Sequence, residues 1–422
     1  MLKRHESFPD TIERLFGGRV LNFTFQVTDD CNLACRYCYQ THKGHRMMRF
    51  DTAKQAIDLM FRESHDPESI FSHEKNRGIV FEFIGGEPLM NIGVTRKIMD
   101  YVEEKMDGHP WQMFHRFSFC SNGVLFFSPE VQRMLRDYDG LVSFGITVDG
   151  DRELHDSCRV HHDGTGSYDE AIRAALYLKE HYGSDETKIT LCPENIAHTS
   201  KAVINMLTLG FPYVWANCVY EEGWTAEHAK ILYRQMKDIA DYVLEHDLED
   251  RCNVSLFDPD AFGESTDDQN WCGGTGKMLS MDADGYFYPC TRYMESSLGG
   301  AQPPVIVGSV RDGVYQRPEH KAIYEELCSI TKTSQSEEKC VSCPIAGGCS
   351  WCSAYNYQVF GTANRRATFI CVMHQARALG TAYYCMMESR KKRTENGFRL
   401  RIPKEWALEI VSEEEYQMLK EG

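Results

Sequence analysis

Residues 31–38 read Cys-Asn-Leu-Ala-Cys-Arg-Tyr-Cys, so Cys31, Cys35 and Cys38 have the spacing C-x3-C-x2-C. Three thiolates this close in the chain, with the aromatic Tyr37 just before the third, suit three irons of a [4Fe–4S] cube. The fourth iron then stays open to a ligand that is not protein. A zinc site made of cysteines needs a second pair close by, so zinc binding and simple burial of the thiols are the weaker alternatives.

At these residues the chain resembles the radical-SAM superfamily. The resemblance implies that the open iron binds the amino and carboxylate groups of S-adenosylmethionine. It also implies that the bound molecule is cleaved to a 5′-deoxyadenosyl radical. We therefore expect an enzyme.

The bulk composition sets outer limits on function. The chain has 422 residues, enough for two domains, and a soluble composition with 42% hydrophobic residues. A net charge of −16 argues against a nucleic-acid partner. No run of 18 apolar residues and no apolar signal segment is present, so no membrane association is expected. The 17 cysteines therefore indicate a reducing, cytoplasmic compartment and metal ligation.

Strand and helix patterns alternate after a lead-in over 1–19. Apolar or alternating stretches rich in β-formers predict strands at 20–27, 78–84, 116–120, 141–148, 188–192 and 213–219. Helical patterns are found at 51–61, with Asp51 as N-cap, and at 128–137, 168–181 and 226–246. The alternation predicts a parallel sheet with active residues at the strand C-termini. We expect an α/β fold, a partial (β/α)6 TIM-like barrel over 20–246, and the family resemblance implies the same.

Two short motifs resemble the family's S-adenosylmethionine contacts. Gly85-Gly86-Glu87-Pro88 follows the strand 78–84, and its glycines permit close approach of the backbone to a ligand. The resemblance implies that Glu87 neighbours the methionyl amine. Asn122, in an Asn-Gly turn, would orient the ligand. An ordinary turn is the alternative for both motifs.

Residues 145–159 resemble a signature of radical-SAM enzymes that modify peptides. Thr147 stands where serine is usual and keeps a hydroxyl for the ribose, while Arg159 suits a bidentate grip on the methionyl carboxylate. A surface salt bridge is the alternative for Arg159. Asp149, His155 and Asp156 are expected to hold the loop. The predicted cofactor-binding residues are Tyr37, Gly85, Gly86, Glu87, Asn122, Thr147 and Arg159.

A second set of cysteines follows an acidic linker or active-site loop over 247–271. It comprises Cys272, Cys290, Cys340, Cys343, Cys349, Cys352 and Cys371, with Gly285 between the first two. This set closely resembles the SPASM auxiliary-cluster domain, which would cover 272–385, before a tail over 386–422. One departure is that two residues separate Cys349 from Cys352, where the family usually has three. Paired zinc knuckles are the alternative.

The resemblance implies three [4Fe–4S] clusters in all. Cys340, Cys343, Cys349 and Cys371 would hold one auxiliary cluster. Cys272, Cys290 and Cys352 would hold the other. Sulfatase-maturating members add a cysteine at the position of Met278, so the second cluster is expected to keep an open iron for a substrate thiolate. Cys328 as its fourth ligand stays an alternative.

We therefore expect a radical SAM/SPASM maturase of a ribosomally made precursor peptide, forming thioether crosslinks from Cys. Anaerobic sulfatase maturation is the first alternative, although Thr291 replaces the Asp of those enzymes. Carbon–carbon crosslinking and a non-catalytic iron–sulfur carrier are further alternatives, the latter opposed by Glu87 and Arg159. Only 30 residues precede Cys31, so a separate leader-recognition protein, the tail or a barrel surface is expected to bind a leader. Flavodoxin or ferredoxin is expected to donate electrons, and no catalytic residue is assigned.

The tail predicts a strand from residue 396, a proline turn and a final helix. Ser412 and Glu415 have capping-box spacing at the start of that helix. We expect the tail to plug the surface rather than to offer a peptide-docking edge. The basic run 390–393 is a possible docking point or a solvated face.

Overall fold

The computed structural model describes residues 8–262, 268, 270 and 272–422, with the backbone alone for Phe16. Its strands are β1 Arg19–Gln26, β2 Asn76–Ile84, β3 His115–Ser121, β4 Val142–Ile146, β5 Glu186–Leu191, β6 Tyr213–Cys218, β7 Asn253–Val254, β8 Met278–Met281, β9 Tyr286–Tyr288, β10 Gly308–Ser309 and β11 Gly313–Val314. The first eight helices are α1 Phe8–Phe16, α2 Phe50–Glu63, α3 Ile92–Met106, α4 Pro129–Asp137, α5 Arg152–Cys158, α6 Tyr168–Tyr182, α7 Thr199–Thr208 and α8 Ala226–Glu245. The others are α9 Glu295–Leu298, α10 Pro318–Ser329, α11 Lys332–Gln335, α12 Glu338–Val341, α13 Ser353–Phe360, α14 Cys371–Lys392, α15 Lys404–Ala407 and α16 Glu413–Glu421.

Parallel strands joined by helices form the main layer, which confirms the predicted α/β barrel. Strands β1 to β4 pair in parallel and in sequence order, and β5, β6 and β7 form a second parallel sheet. A parallel bridge between Thr147 and Lys188 links the end of β4 to β5. The C-termini of β1 to β6 therefore meet at one rim, where functional residues of such barrels lie.

An aromatic core holds the first sheet against its helices. Phe25 stacks on Phe83 with ring centroids 5.8 Å apart, and Phe83 stacks on Phe119 at 4.9 Å. All three side chains are buried. Stacked aromatic pairs on neighbouring strands add stability beyond the area they bury, so this core fixes the strand register beneath the rim.

The cysteine-rich region continues the barrel sheet. Strand β8 pairs in parallel with β1, and β9 to β11 extend the sheet by antiparallel pairs. Helix α14 packs along α8, where the hydroxyl of Tyr383 donates to the carboxylate of Asp241 at 2.9 Å. The second region is thereby anchored at the edge strand β1 and on the outer helix α8.

Several sequence-based expectations need correction. The first long helix starts at Phe50 after an extended Arg49, so Asp51 lies in its first turn and is not the N-cap. The interval 247–271, expected to be a linker or loop, contains strand β7, which pairs with β6. Residues 263–267, 269 and 271 of this interval lie outside the described residues. The predicted strand from residue 396 is not formed, since 394–403 is described without strand pairing.

The final helix, α16, begins after its N-cap Ser412, as the capping-box spacing predicted. The Ser412 hydroxyl accepts from the Glu415 backbone N–H at 3.2 Å. The Glu415 carboxylate does not complete the capping box. It accepts instead from Tyr233 at 2.8 Å and Lys237 at 2.6 Å on α8. Among the described residues, no helix combines the length and apolarity needed to cross a bilayer.

Candidate active site

The loop that follows β1 carries the cysteine triad at the barrel rim. The backbone N–H of Ala34 donates to Val160 O at 2.7 Å, and that of Arg36 donates to Cys158 O at 3.0 Å. These bonds fasten the loop to the segment that ends α5. Burial raises the pKa of Cys31 to about 11. Burial also raises the pKa of Cys35, an effect that Arg159 opposes and Cys38 increases.

The two glycines at the end of β2 pack against this loop. A Cβ on Gly86 would lie 2.2 Å from the carbonyl oxygen of Asp30, and one on Gly85 would lie 2.7 Å from that of Thr28. The Gly86 N–H also donates to Thr28 O at 3.2 Å. Both glycines are therefore required for contact between the two loops, because an added Cβ would meet backbone atoms of the cysteine loop.

Glu87 is fully buried between the loops after β2 and β3. Its carboxylate accepts from the Ser121 hydroxyl and the Asn122 N–H, both at 2.8 Å, and from the Leu89 N–H at 3.1 Å. Burial raises its pKa to about 7, against the opposing effect of these hydrogen bonds. The carboxyl group joins two rim loops and titrates near neutral pH, so a nearby cation would shift it to the charged form.

Arg159 lies beside the triad, and the buried carboxylate of Asp149 balances its positive charge. Its Nε donates to the Asp149 carboxylate at 2.8 Å, and the guanidinium lies 5.4 Å from the Tyr37 ring centroid. The Tyr37 hydroxyl donates to the same carboxylate, whose other oxygen accepts from the Thr190 N–H at 2.9 Å. Asp149 thus ties the cysteine loop, Arg159 and β5 together. The predicted loop-holding role of Asp149 agrees with this geometry, and Arg159 is not a surface residue.

Two further predicted contacts also lie at the rim. The Asn122 amide donates to Asn32 of the cysteine loop at 2.7 Å, so Asn122 orders that loop directly. The Thr147 hydroxyl lies 3.7 Å from the Cys120 sulfur. His155 holds the turn after β4, accepting from the Asp149 N–H at 3.2 Å and contacting Ser167 at 3.1 Å.

One cavity of about 670 Å³ brings these residues together. It is lined by all ten predicted residues of the first site: Cys31, Cys35, Tyr37, Cys38, Gly85, Gly86, Glu87, Asn122, Thr147 and Arg159. Its opposite wall comes from the second cysteine region and includes Arg292, Cys349 and His374. A molecule in the cavity therefore lies between the triad and Cys349 of the second cysteine region.

Sequence reasoning missed several residues of this cavity. Gln40 lines it, is 4% exposed, and has an Nε2 without a hydrogen-bond partner among the described residues. Lys188 and Cys120 face the cavity from β5 and β3. The alternation of Lys188 with buried Thr187 and Ile189 is a period-2 signal that could have placed it on one face. No pattern marks Gln40.

The pKa shifts of the second cysteine set distinguish two groups of neighbouring sulfurs. Burial raises the pKa of Cys371 to about 12, with negative charge on Cys349, Cys340 and Cys343 as the further causes. Burial, and then charge on Cys352 and Cys272, raises the pKa of Cys290. Two separate groups of sulfurs are thus electrostatic neighbours. No three candidate ligands within the described ranges lie close enough for a single metal ion.

Cys328 has different neighbours from the group of three. Burial raises the pKa of its thiol, and a hydrogen bond to Tyr324 and the charges of Arg19 and Lys277 oppose this effect. Its sulfur lies against Gly276, 2.5 Å from the position of a Cβ there.

The residues at the rim fit the cofactor that the motif suggests. One cavity contains three thiols, the buried Gln40 Nε2 that has no hydrogen-bond partner among the described residues, the Arg159 cation and the Glu87 carboxyl, whose pKa is raised by burial. Thiolates bind iron, and the charged groups match an amino-acid ligand. This donor chemistry suits an iron–sulfur cluster that carries S-adenosylmethionine.

Comparison with known proteins defines the class. Residues 25–199 match the Radical SAM superfamily. An uncharacterized protein of Methanocaldococcus jannaschii is 29% identical over 156 residues, which cover 37% of this chain and 48% of that protein. The subtilosin biosynthesis protein AlbA of Bacillus subtilis is 21% identical, with 79% of this chain and 67% of AlbA covered. A cysteine-type anaerobic sulfatase-maturating enzyme of Clostridium perfringens is 23% identical, with 64% and 73% covered.

Solved structures share the fold. The structure of anSMEcpe with bound AdoMet and Cp18Cys peptide has a TM-score of 0.62 at 18% identity, covering 89% of this chain and 100% of that one. Streptococcus suis SuiB bound to precursor peptide SuiA has a TM-score of 0.55 at 14% identity, covering 83% and 75%. The matched segment spans about half of the archaeal relative, 48%.

This chain therefore carries a radical SAM domain, and the structure as a whole has the fold of anSMEcpe and SuiB. The domain implies one [4Fe–4S] cluster and S-adenosylmethionine.

Proposed function

We propose that this chain is a radical SAM maturase that forms thioether crosslinks from Cys in a ribosomally made peptide. The observation that carries the proposal is the shared cavity, which has the cysteine triad on one wall and Cys349 and Arg292 on the other. A substrate segment in that cavity would contact both cysteine regions at once. Such an arrangement suits chemistry that uses more than one cluster.

Cys31, Cys35 and Cys38 would hold the cluster that binds S-adenosylmethionine. Arg159 would hold the methionyl carboxylate, with its orientation set by Asp149, and Thr147 would face the ribose. Glu87 and the backbone of Gly85 and Gly86 would shape the amine end. When bound, the cofactor supplies a carbon radical that removes a hydrogen atom from the substrate. The chain's own part is to bind, orient and keep water out.

The auxiliary cysteines would hold two further clusters. Cys340, Cys343, Cys349 and Cys371 supply four thiolates for one of them. Cys272, Cys290 and Cys352 supply three for the other, and the different neighbours of the Cys328 thiol support a free fourth position. A substrate thiolate is the ligand that we assign to that position. This assignment is our reason to favour thioether formation.

A peptide substrate is supported by the relatives. AlbA is named for bacteriocin biosynthesis, and the SuiB structure contains a precursor peptide. We propose a Cys-containing precursor peptide for this chain as well. We further propose a cytoplasmic location, a flavodoxin or ferredoxin as electron donor, and a separate protein for leader recognition.

Anaerobic sulfatase maturation is the second candidate, because a sulfatase-maturating enzyme is among the relatives. Against it, the residue after Cys290 is Thr291, which has no carboxylate to act as a base. Its hydroxyl instead hydrogen-bonds to Tyr39. Carbon–carbon crosslinking would need no thiolate ligand and is the third candidate.

Mass spectrometry of a Cys-containing precursor peptide tests the proposal. The peptide is incubated anaerobically with reconstituted enzyme, reductant and S-adenosylmethionine. We expect loss of two hydrogens per event together with one alkylatable thiol. Loss of two hydrogens with every thiol still free would support a carbon–carbon crosslink. Oxidation of a sulfatase-type Cys or Ser peptide, with the precursor unchanged, would support the second candidate.

Matched variants connect the result to the cluster assignment. The Cys272→Ala variant is expected to lose crosslinking while the Cys328→Ala variant keeps it. Full crosslinking by Cys272→Ala would contradict the proposed role of the three-cysteine set.

A further inference from the structure

Arg366 makes an unusual contact with one of the auxiliary cysteines. Its Nη2 atom lies 2.8 Å from the Cys349 sulfur and donates to the Cys349 carbonyl oxygen at 3.0 Å. The guanidinium lies 4.8 Å from the Trp351 ring centroid. The residue is 8% exposed, and its backbone N–H donates to Gln335 O at 2.8 Å. The cation is thus held in a fixed position against the sulfur.

Among the residues that the structure describes, no carboxylate forms an ion pair with Arg366. Within the part of the chain that the structure describes, its guanidinium contacts only the sulfur and carbonyl of Cys349 and the ring of Trp351. The other auxiliary set differs in this respect. Arg292, beside Cys290 and Cys352, forms an ion pair with Glu221 at 3.0 Å. Within the described ranges, the cation beside Cys349 therefore has no carboxylate partner, whereas the cation beside Cys290 and Cys352 has one.

A buried cation and an N–H···S hydrogen bond both favour the reduced state of an iron–sulfur cluster, because reduction adds negative charge to the cluster and its sulfurs. The effect is strong where water is excluded, since the local dielectric constant is low. Hydrogen bonds from a charged donor are also stronger than neutral ones.

We propose that Arg366 raises the reduction potential of the cluster held by Cys340, Cys343, Cys349 and Cys371. It makes this cluster the more easily reduced of the two auxiliary clusters. The reaction concerned is the uptake of one electron by the cluster from an external reductant, and no bond forms or breaks. The inference depends on the cluster assignment of the proposed function. Arg366 acts through Cys349 and is a positioning residue.

The test is an EPR-monitored titration of reconstituted holoenzyme with dithionite. Arg366→Gln removes the charge at nearly constant size. Arg365→Gln is the matched control, because the neighbouring Arg365 is exposed and its guanidinium lies over Phe360, 4.2 Å from the ring centroid. We expect one of three midpoint potentials to fall by about 59 mV in Arg366→Gln, a tenfold change in the ratio of reduced to oxidised cluster. The Arg365→Gln variant should keep all three potentials.

The iron content distinguishes a failure of the auxiliary-cluster assignment from a failure of the inference about Arg366. Wild-type enzyme with iron for a single cluster would refute the auxiliary assignment itself. Wild-type and Arg366→Gln enzymes that both carry three clusters with unchanged potentials would overturn this inference alone. If Arg366→Gln loses iron, Arg366→Met decides, because it also removes the charge and the N–H donor while keeping a long side chain. A fall in one midpoint potential supports the inference, and three unchanged potentials overturn it.

Discussion

The Nε atom of Arg159 donates to the carboxylate of Asp149 at 2.8 Å, and Asp149 is fully buried. The same carboxylate accepts from Tyr37 and from the Thr190 backbone. One buried anion thus sets the position of the cation that faces the cavity. The pair makes the site rigid before any ligand arrives.

The Asp149→Asn variant should be strongly destabilised. It leaves the Arg159 charge buried without its partner, which costs about 3–5 kcal/mol in comparable cases. Urea unfolding of the ligand-free protein measures the loss. The Asp169→Asn variant is the control, because Asp169 pairs with Arg152 on the exposed surface. Such pairs contribute up to about 1 kcal/mol. Equal losses in the two variants would contradict the role given to Asp149.

The Gly86→Ala variant should disturb the cysteine loop. Its Cβ would lie 2.2 Å from the Asp30 carbonyl oxygen, so the backbone must move, and overpacking of this kind costs about 1–3 kcal/mol. We expect less iron per chain and a lower denaturation midpoint. The Gly93→Ala variant in α3 has nothing within 4 Å of its Cβ and should keep both values. Normal iron content in Gly86→Ala would show that the loops do not need their close contact.

Stability should decrease in weak acid because of buried histidines. Burial lowers the pKa of His155 to about 4, whereas an unfolded histidine titrates near 6.5. Between these values the unfolded chain binds more protons than the native one, so this contribution is fully present above pH ~6.5 and is lost as the pH falls toward ~4. The shift corresponds to about 3 kcal/mol. Urea unfolding at successive pH values measures the slope.

A His155→Gln variant should show a shallower decrease over the same pH range. An equivalent change at His181, on the exposed face of α6, should leave the slope unchanged. If all three proteins lost stability in parallel, His155 would not be a source of the acid sensitivity.

Iron analysis distinguishes the two candidate ligands of the second auxiliary cluster. The Cys352→Ala variant should lose iron, because its thiolate is a near neighbour of Cys272. The Cys328→Ala variant should keep the wild-type content, because its thiol lies beside Tyr324 and Lys277 instead. Loss of iron in Cys328→Ala would make that residue a ligand and would leave no free position.

The sequence-based predictions that succeeded rest on patterns formed by residues close together in the chain. The spacing of Cys31, Cys35 and Cys38 is set within eight residues, and strand alternation marks most of the barrel. The role of the glycines could not be predicted in the same way. Gly86 also packs against Asp30, more than fifty positions earlier in the chain. Only the folded structure brings the two together.

Long-range contacts explain the other differences. The carboxylate of Glu87 is occupied by Ser121 and Asn122 from the next strand, which no pattern near Glu87 indicates. Strand β8 is four residues long, and its pairing with β1 depends on where the two regions meet. Gln40 and Lys188 enter the cavity for the same reason.

Reductive cleavage of S-adenosylmethionine tests the central claim most directly. The reconstituted chain is reduced anaerobically without peptide, and 5′-deoxyadenosine is measured by liquid chromatography and mass spectrometry. We predict 5′-deoxyadenosine from the wild-type protein and none from a Cys35→Ala variant. A wild-type protein that carries its clusters but forms no 5′-deoxyadenosine, or a Cys35→Ala variant that forms as much as wild type, would contradict the assignment.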